Sequence, residues 1–149
     1  MIEIKKYNSI IEDTSRVEEV LEKYNEQKDF TTLEAWKKVR LIKLFFYQKV
    51  IPCLPPEEKH NLDFQIRKAC ISGTANISEG YGRYHYQEGI QFYRISRGSL
   101  YELKDHLISC YDLCYINKQV FEEGIKLIED AKITLNGYIK FVESQKKLK

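Results

Sequence analysis

Ala69-Cys70-Ile71-Ser72-Gly73-Thr74-Ala75-Asn76-Ile77-Ser78-Glu79-Gly80-Tyr81-Gly82-Arg83 is the stretch whose reading decides the fold. With Leu62 and Ile66 just upstream, Ala69, Gly73, Asn76 and Ile77 recur at three and four, the spacing of one helix face. Most residues from Ala69 to Asn76 are small. Gly73 inside a helix costs about 1 kcal/mol relative to alanine, which marks a place where another backbone comes close. Gly80 supplies a helix stop. A second helical pattern opens near Tyr86 and carries Arg97-Gly98-Ser99-Leu100-Tyr101-Glu102-Leu103, with Gly98 as a second expected close crossing. Helices joined by so short a turn lie antiparallel. Both contain polar residues where a plain bundle would place apolar ones.

Downstream, the Tyr86 helix is apolar on two sides and reaches about Tyr115. Ile90, Tyr93, Leu100, Leu107 and Tyr111 make one stripe; Phe92, Ile95, Ser99, Leu103, Cys110 and Leu113 make the other. Asn117 is placed to cap a final helix, in which Phe121, Ile125, Ile128, Leu135, Ile139 and Val142 repeat at helical spacing. Upstream, Thr31-x-x-Glu34 reads as a capping box. The helix it opens runs to about Cys53, where Pro52, Pro55 and Pro56 stop it. Val39, Ile42, Phe46, Val50 and Cys53 share its inner face, whereas Leu41 and Phe45 fall among Glu34, Lys37, Lys38 and Gln48. An apolar pair on a polar face is the mark of a subunit contact. The next helix begins near Glu57. No strand pattern, repeat or low-complexity segment interrupts the series. The expected fold is all-α: an up-down-up-down antiparallel four-helix bundle over residues 30–149.

Residues 1–29 form an N-terminal extension. Val17, Val20, Leu21 and Tyr24 make a short amphipathic stripe between about Asp13 and Gln27, flanked by Glu18, Glu19, Glu22 and Glu26. It reads either as a loosely tied helix or as an arm that binds a partner.

At 149 residues and net charge +2, the chain is one ordinary domain rather than a polycation. The charge is unevenly spread: the first 29 residues hold five Lys/Arg against eight Asp/Glu, and the rest nineteen against fourteen. No apolar leader or membrane-length run is present, so a cytosolic location with reduced thiols is expected. Cys53, Cys70, Cys110 and Cys114 contain no C-x-x-C pair. His106, Cys110 and Cys114 stack at four-residue spacing, a pattern shared by metal sites and by core periodicity; the expectation is no metal and no cofactor. Gly80-Tyr81-Gly82 begins like a dinucleotide fingerprint, but His85 stands where the third glycine belongs and no strand precedes it.

Asn76 and Glu79 share a helix face, as do Arg94 and Arg97 on the next helix. The turn could bring Glu79 to Arg83 or Arg94, with Glu102 at a deeper level. Such a set reads as a buried register-fixing network or as a binding site. Catalysis needs a group tuned near neutrality, and no histidine falls at the right spacing, so no enzyme is expected. Tyr81, Arg83, Tyr84, His85 and Tyr86 crowd one turn, in the manner of a subunit interface or a stacking surface for single-stranded nucleic acid. Lys37, Lys38, Arg40 and Lys43, with Arg83, are the candidate nucleic-acid residues. Lys140, Lys146, Lys147 and Lys149 add charge at the tail.

Ala69-Cys-Ile-Ser, Asn76-Ile, Glu79-Gly80, Gly82-Arg83, Glu88, Phe92 and Arg97-Gly98-Ser99-Leu100-x-Glu102-Leu103 together resemble the bacterial four-helix-bundle proteins of ribosomal RNA intervening sequences, the 23S rRNA intervening-sequence family. The resemblance spans about residues 30–143. It implies a ring-like homopentamer, similar in fold to accessory proteins of diversity-generating retroelements, which are associated with nucleic acid and a reverse transcriptase. It implies no enzymatic activity. Three positions depart from the family pattern: Gly73-Thr74-Ala75 replaces an apolar-Pro-Ser triplet, Lys104 replaces an acid, and Tyr84-His85-Tyr86 replaces small polar residues. The resulting expectation is a non-enzymatic oligomeric scaffold or interaction module with RNA or DNA as partner. The alternative is a structural oligomer that docks another protein through the N-terminal arm.

Overall fold

The structure, a computed structural model, describes residues 14–24 and 28–147. Residues 14–24 form a short helix, α1. The bundle consists of α2 (Glu34–Phe45), α3 (Leu62–Gly82), α4 (Tyr86–Asp112) and α5 (Lys118–Lys147). Each of these four packs on two others in the closed cycle α2–α3–α4–α5. Cross-helix contacts fix the directions. Ser96 Oγ donates to the Gly73 carbonyl and Ser99 Oγ to Ser72 Oγ. Arg94 pairs with Glu143 and Lys104 with Glu129; Lys38 reaches Asp130 and Lys49 reaches Glu123. In each pair of helices one sequence number rises as the other falls, so neighbours are antiparallel. The expected all-α bundle with a short extra N-terminal helix is what the chain forms.

The core is the set of inner faces anticipated from periodicity. Ile42, Phe46, Ile66, Ile77, Leu100, Leu107, Ile128 and Leu135 are fully enclosed. Burying each such side chain contributes about 1.5–3 kcal/mol. Asn117 Oδ1 accepts the Val120 amide at 2.9 Å, the N-cap expected of it.

Several elements differ from the sequence reading. The Thr31–Glu34 capping box does not open α2. Asp29 instead caps a 3-10 turn, Phe30–Thr32, by accepting the Thr31 amide at 2.8 Å, and Leu33 takes the N-cap position. After Phe45 the helix widens to a π segment, Phe46–Val50, and tightens to a 3-10 turn, Ile51–Cys53. Cys53 is thereby carried off the inner face and is exposed. Beyond the prolines a 3-10 turn, Pro56–Glu58, precedes α3. Glu58 then serves as a side-chain cap, its Oε2 accepting the Leu62 amide and Asn61 Nδ2.

Phe45 is the largest correction. It is 1% exposed and belongs to the core, while Leu41 is half-buried. The reason lies 79 residues downstream: a Cβ on Gly124 would sit 2.7 Å from Phe45 Cε1 and 2.6 Å from Leu107 Cδ2. The bare glycine opens a recess in α5 that the phenyl ring fills.

Gly80 is likewise not a helix stop. α3 runs on to Gly82, and Gly80 is buried inside it. A Cβ there would lie 2.8 Å from Tyr93 and 3.0 Å from the Gly89 carbonyl. Gly80 and Gly89 therefore mark a close crossing of α3 and α4. At Gly73 a side chain rather than a backbone comes close, Val39 Cγ1 lying 2.9 Å from a hypothetical Cβ, and Gly98 meets nothing within 4 Å and marks no crossing. On α4, the Ile95, Tyr111 and Leu113 positions of the two predicted stripes are exposed.

Candidate functional site

The polar residues of the motif do not form one buried network. Where α3 and α4 meet, Ser72, Asn76 and Ser99 make a compact cluster. Asn76 Nδ2 donates to the Ser72 carbonyl at 2.8 Å and to Ser72 Oγ at 2.9 Å; Ser99 Oγ reaches Ser72 Oγ at 2.8 Å. Ser99 is buried, and Ser72 and Asn76 are half-buried. Small residues at 72, 73, 96 and 99 let the helices approach closely enough for these bonds, and Ser96, fully buried, satisfies its hydroxyl on the Gly73 carbonyl at 2.7 Å.

The other motif residues lie apart from this cluster. Glu79 pairs with Arg83 at 2.9 Å on the same helix, and both are exposed. Arg94 turns to Glu143 on α5, so the Glu79–Arg94 pairing is not made. Arg97 donates to Asn136 Oδ1, also on α5, at 2.9 Å. Glu102 faces His106 at 3.4 Å at the surface rather than at a deeper level. Glu88 and Gly98 are exposed, Gly80 is packed on α4, and Gly82 lies in open space.

At the α3–α4 turn, Arg83 lies over the Phe92 ring at 5.2 Å. Tyr81 is half-buried and donates to the Lys28 carbonyl at 3.3 Å. Tyr84 is 91% exposed with φ of 53°, and Tyr86 is 37% exposed. The His106–Cys110–Cys114 stack does not form. α4 ends at Asp112, and Cys114 takes φ of 61° in the left-handed helix-end conformation. The Tyr115 amide then closes back on the Cys110 carbonyl at 2.9 Å, as a helix terminus of this type requires. Cys114 is exposed and Cys110 buried, its thiol pushed up by burial to about 11. Among the described residues, no group of three His, Cys, Asp or Glu side chains is placed to hold a metal ion.

The basic set of α2 is divided. Lys37 pairs with Glu34, and Lys38 with Asp130 and Thr134. Arg40 is buried against Trp36, its guanidinium 5.7 Å from the ring, and Lys43 donates to Thr74 Oγ1 on α3 at 3.3 Å. Lys38 and Lys43 thus point to opposite neighbours, and no single basic face results. Sequence reasoning also missed the outward apolar residues of α3. Phe64 and Ile71 are 55% and 53% exposed, seven residues apart on one face. The register set by Ser96–Gly73 and Ser99–Ser72 puts Ile95, 50% exposed, level with Ala75, about one helical turn from Ile71 and about three from Phe64. The signal was available as two large apolar residues off the inner stripe.

The model of 23S rRNA-intervening sequence proteins matches residues 31–137, from the turn before α2 to well into α5. The chain belongs to the 23S rRNA-intervening sequence protein family. No curated protein matches it. The family match covers the Ser72–Asn76–Ser99 cluster and leaves α1 outside. It is not a known enzyme family, and among the described residues no helix of this intervening-sequence protein is long and apolar enough to cross a membrane.

Proposed function

We propose that the protein is a non-catalytic assembly module: a homo-oligomer, pentameric as the family resemblance implies, that presents a composite surface to RNA or DNA in the cytoplasm. The observation that carries the self-association is the outer face of α3 and α4. Phe64, Ile71 and Ile95 are large, apolar and half in water; Ile71 and Ile95 lie level with the small residues Ser72 and Ala75, and Phe64 is about two turns from Ile71 on the same face of α3. Apolar side chains grouped on a helix surface mark an interaction site. This face takes over the contact role that the sequence suggested for Phe45, which the core has claimed; Leu41, Tyr81, Tyr84 and Tyr86 remain candidates at the periphery. Phe64→Glu/Ile71→Glu should leave the helical signal intact and release smaller species in sedimentation velocity. An unchanged sedimentation coefficient would remove this face from the account.

The nucleic-acid part of the proposal is electrostatic. Repeating one subunit's separate basic residues around a ring sums weak phosphate contacts. Fluorescent RNA titrated at two ionic strengths checks it: binding should be insensitive to sequence and weaken steeply with salt. Lys37→Glu/Lys38→Glu, which turns the Glu34 and Asp130 pairs repulsive, should weaken it further.

A second reading has its own observation. Helix α1 exposes Val17 at 38%, Val20 at 51% and Tyr24 at 79%. Such a stripe is what a protein-binding arm presents to a groove. Co-purification of a protein band that disappears with Val20→Glu/Tyr24→Glu would favour docking of another protein over nucleic acid.

A further inference from the structure

Two neighbouring cations on α2 have no carboxylate partner among the described residues. Lys38, Lys49, Arg67, Arg94, Lys104 and Lys132 each have a carboxylate. Arg40 does not. It is 8% exposed, yet among the described residues its guanidinium meets no carboxylate and no hydrogen-bond acceptor; it rests on the face of Trp36. Lys43, one turn along the same face, is half-buried and has only the Thr74 hydroxyl, itself on a buried residue. Burial, and then the charge of Arg40, push the Lys43 ammonium below its ordinary pKa. The thiol facing Lys43 from α3 is Cys70, which burial holds neutral. The five donors of the Arg40 guanidinium have no protein acceptor among the described residues and keep contact with solvent, where an anion can reach them; the indole face offsets part of the cost of its enclosure. Lys49 and Glu123 show how this bundle balances a half-buried cation when balance is all that is needed.

We propose that Arg40, Lys43 and Thr74 form a binding site for a phosphate dianion in the seam between α2 and α3. The ligand is inorganic phosphate or the terminal phosphate of a larger molecule. Two positive charges match a doubly charged monoester; a carboxylate or a phosphodiester would leave one unmatched. The guanidinium fork bonds two oxygens, the ammonium a third, and the hydroxyl adds a donor. Arg40 is too enclosed for a continuous nucleic-acid backbone to track past it, whereas Lys43 keeps an edge in solvent through which a small oxyanion or a chain end enters. The site stands whether or not the chain self-associates or binds RNA along its surface.

The test uses the full chain in phosphate-free chloride buffer at constant ionic strength and neutral pH. Isothermal titration with inorganic phosphate should show saturable binding, and phosphate should raise the melting temperature. Arg40→Met and Lys43→Met should each weaken phosphate binding by about tenfold or more, a charge-assisted hydrogen bond being lost in each. Without phosphate, Arg40→Met should melt no lower than wild type, because it removes an unmatched buried charge. A lower melting point for that variant would make the guanidinium structural and overturn the proposal. So would absence of saturable binding by wild type, or equal binding by the variants. Should Arg40→Met not fold, Lys43→Gln, at a half-exposed position, decides on the same titration. An oligoribonucleotide with and without a 5′-phosphate separates the two sources. Preference for the phosphorylated form assigns a nucleic-acid end, and equal binding of the two, with phosphate still bound, assigns the free ion.

Discussion

Gly80 and Gly98 differ only in what faces them. Gly80→Ala forces a Cβ to within 2.8 Å of Tyr93 and 3.0 Å of the Gly89 carbonyl. It should cost about 1–3 kcal/mol by overpacking. Gly98→Ala meets open space and gains helix propensity, so it should stabilise by up to about 1 kcal/mol. Urea melts of the two variants check both signs. Sequence alone could read each as a helical glycine; it could not read the opposite helix, and Gly98 was assigned a crossing that Gly89 supplies. Phe45 was misplaced for the same reason, its recess being made by a residue on α5. The Arg40–Lys43 pair supplies a pH prediction. The folded pKa of Lys43 lies below the ordinary lysine value of 10.5. Between those two values the unfolded chain holds more protons than the folded one, so stability contributed by this site rises with pH there. The melting temperature of wild type relative to Lys43→Met should climb as pH rises through the folded pKa toward 10.5; a flat difference would contradict the burial of that ammonium.

Helix ends tell the same story one level up. The number of helices, their inner faces and the Asn117 cap were legible because period and capping chemistry are local. The end of α3 was not, because glycine usually marks a terminus and here Gly80 is needed for packing. The left-handed position falls instead to Tyr84, exposed at φ of 53°. Such a conformation costs a non-glycine residue about 1–2 kcal/mol. Tyr84→Gly should therefore raise the melting temperature by a few degrees, unless the Tyr84 ring holds an intersubunit contact, in which case oligomer mass falls instead. At the other end of α3, the Leu62 amide bond first, then Asn61 and Tyr115, hold the Glu58 carboxylate below its usual range. Its folded pKa being depressed, the cap's contribution is present above the unfolded value and is lost as pH falls through the folded one. Glu58→Gln should accordingly flatten the acid limb of the stability curve.

For the whole molecule, the bundle follows from pattern and the family match, whereas the outer faces do not. A surface is defined by what the core leaves over, and that was known only once Phe45 turned inward and Phe64, Ile71 and Ile95 turned outward. The candidate nucleic-acid lysines were legible as charge, but Asp130, which pairs with Lys38, and Thr74, which bonds Lys43, lie on helices farther along the chain. The central claim is self-association through the α3–α4 face. Multi-angle light scattering of the wild-type chain at micromolar concentration tests it most directly. The expected mass is a whole multiple of 17.7 kDa greater than one, five for the proposed ring. A lower multiple is expected for Phe64→Glu/Ile71→Glu. A wild-type mass of 17.7 kDa, one chain, would contradict the claim.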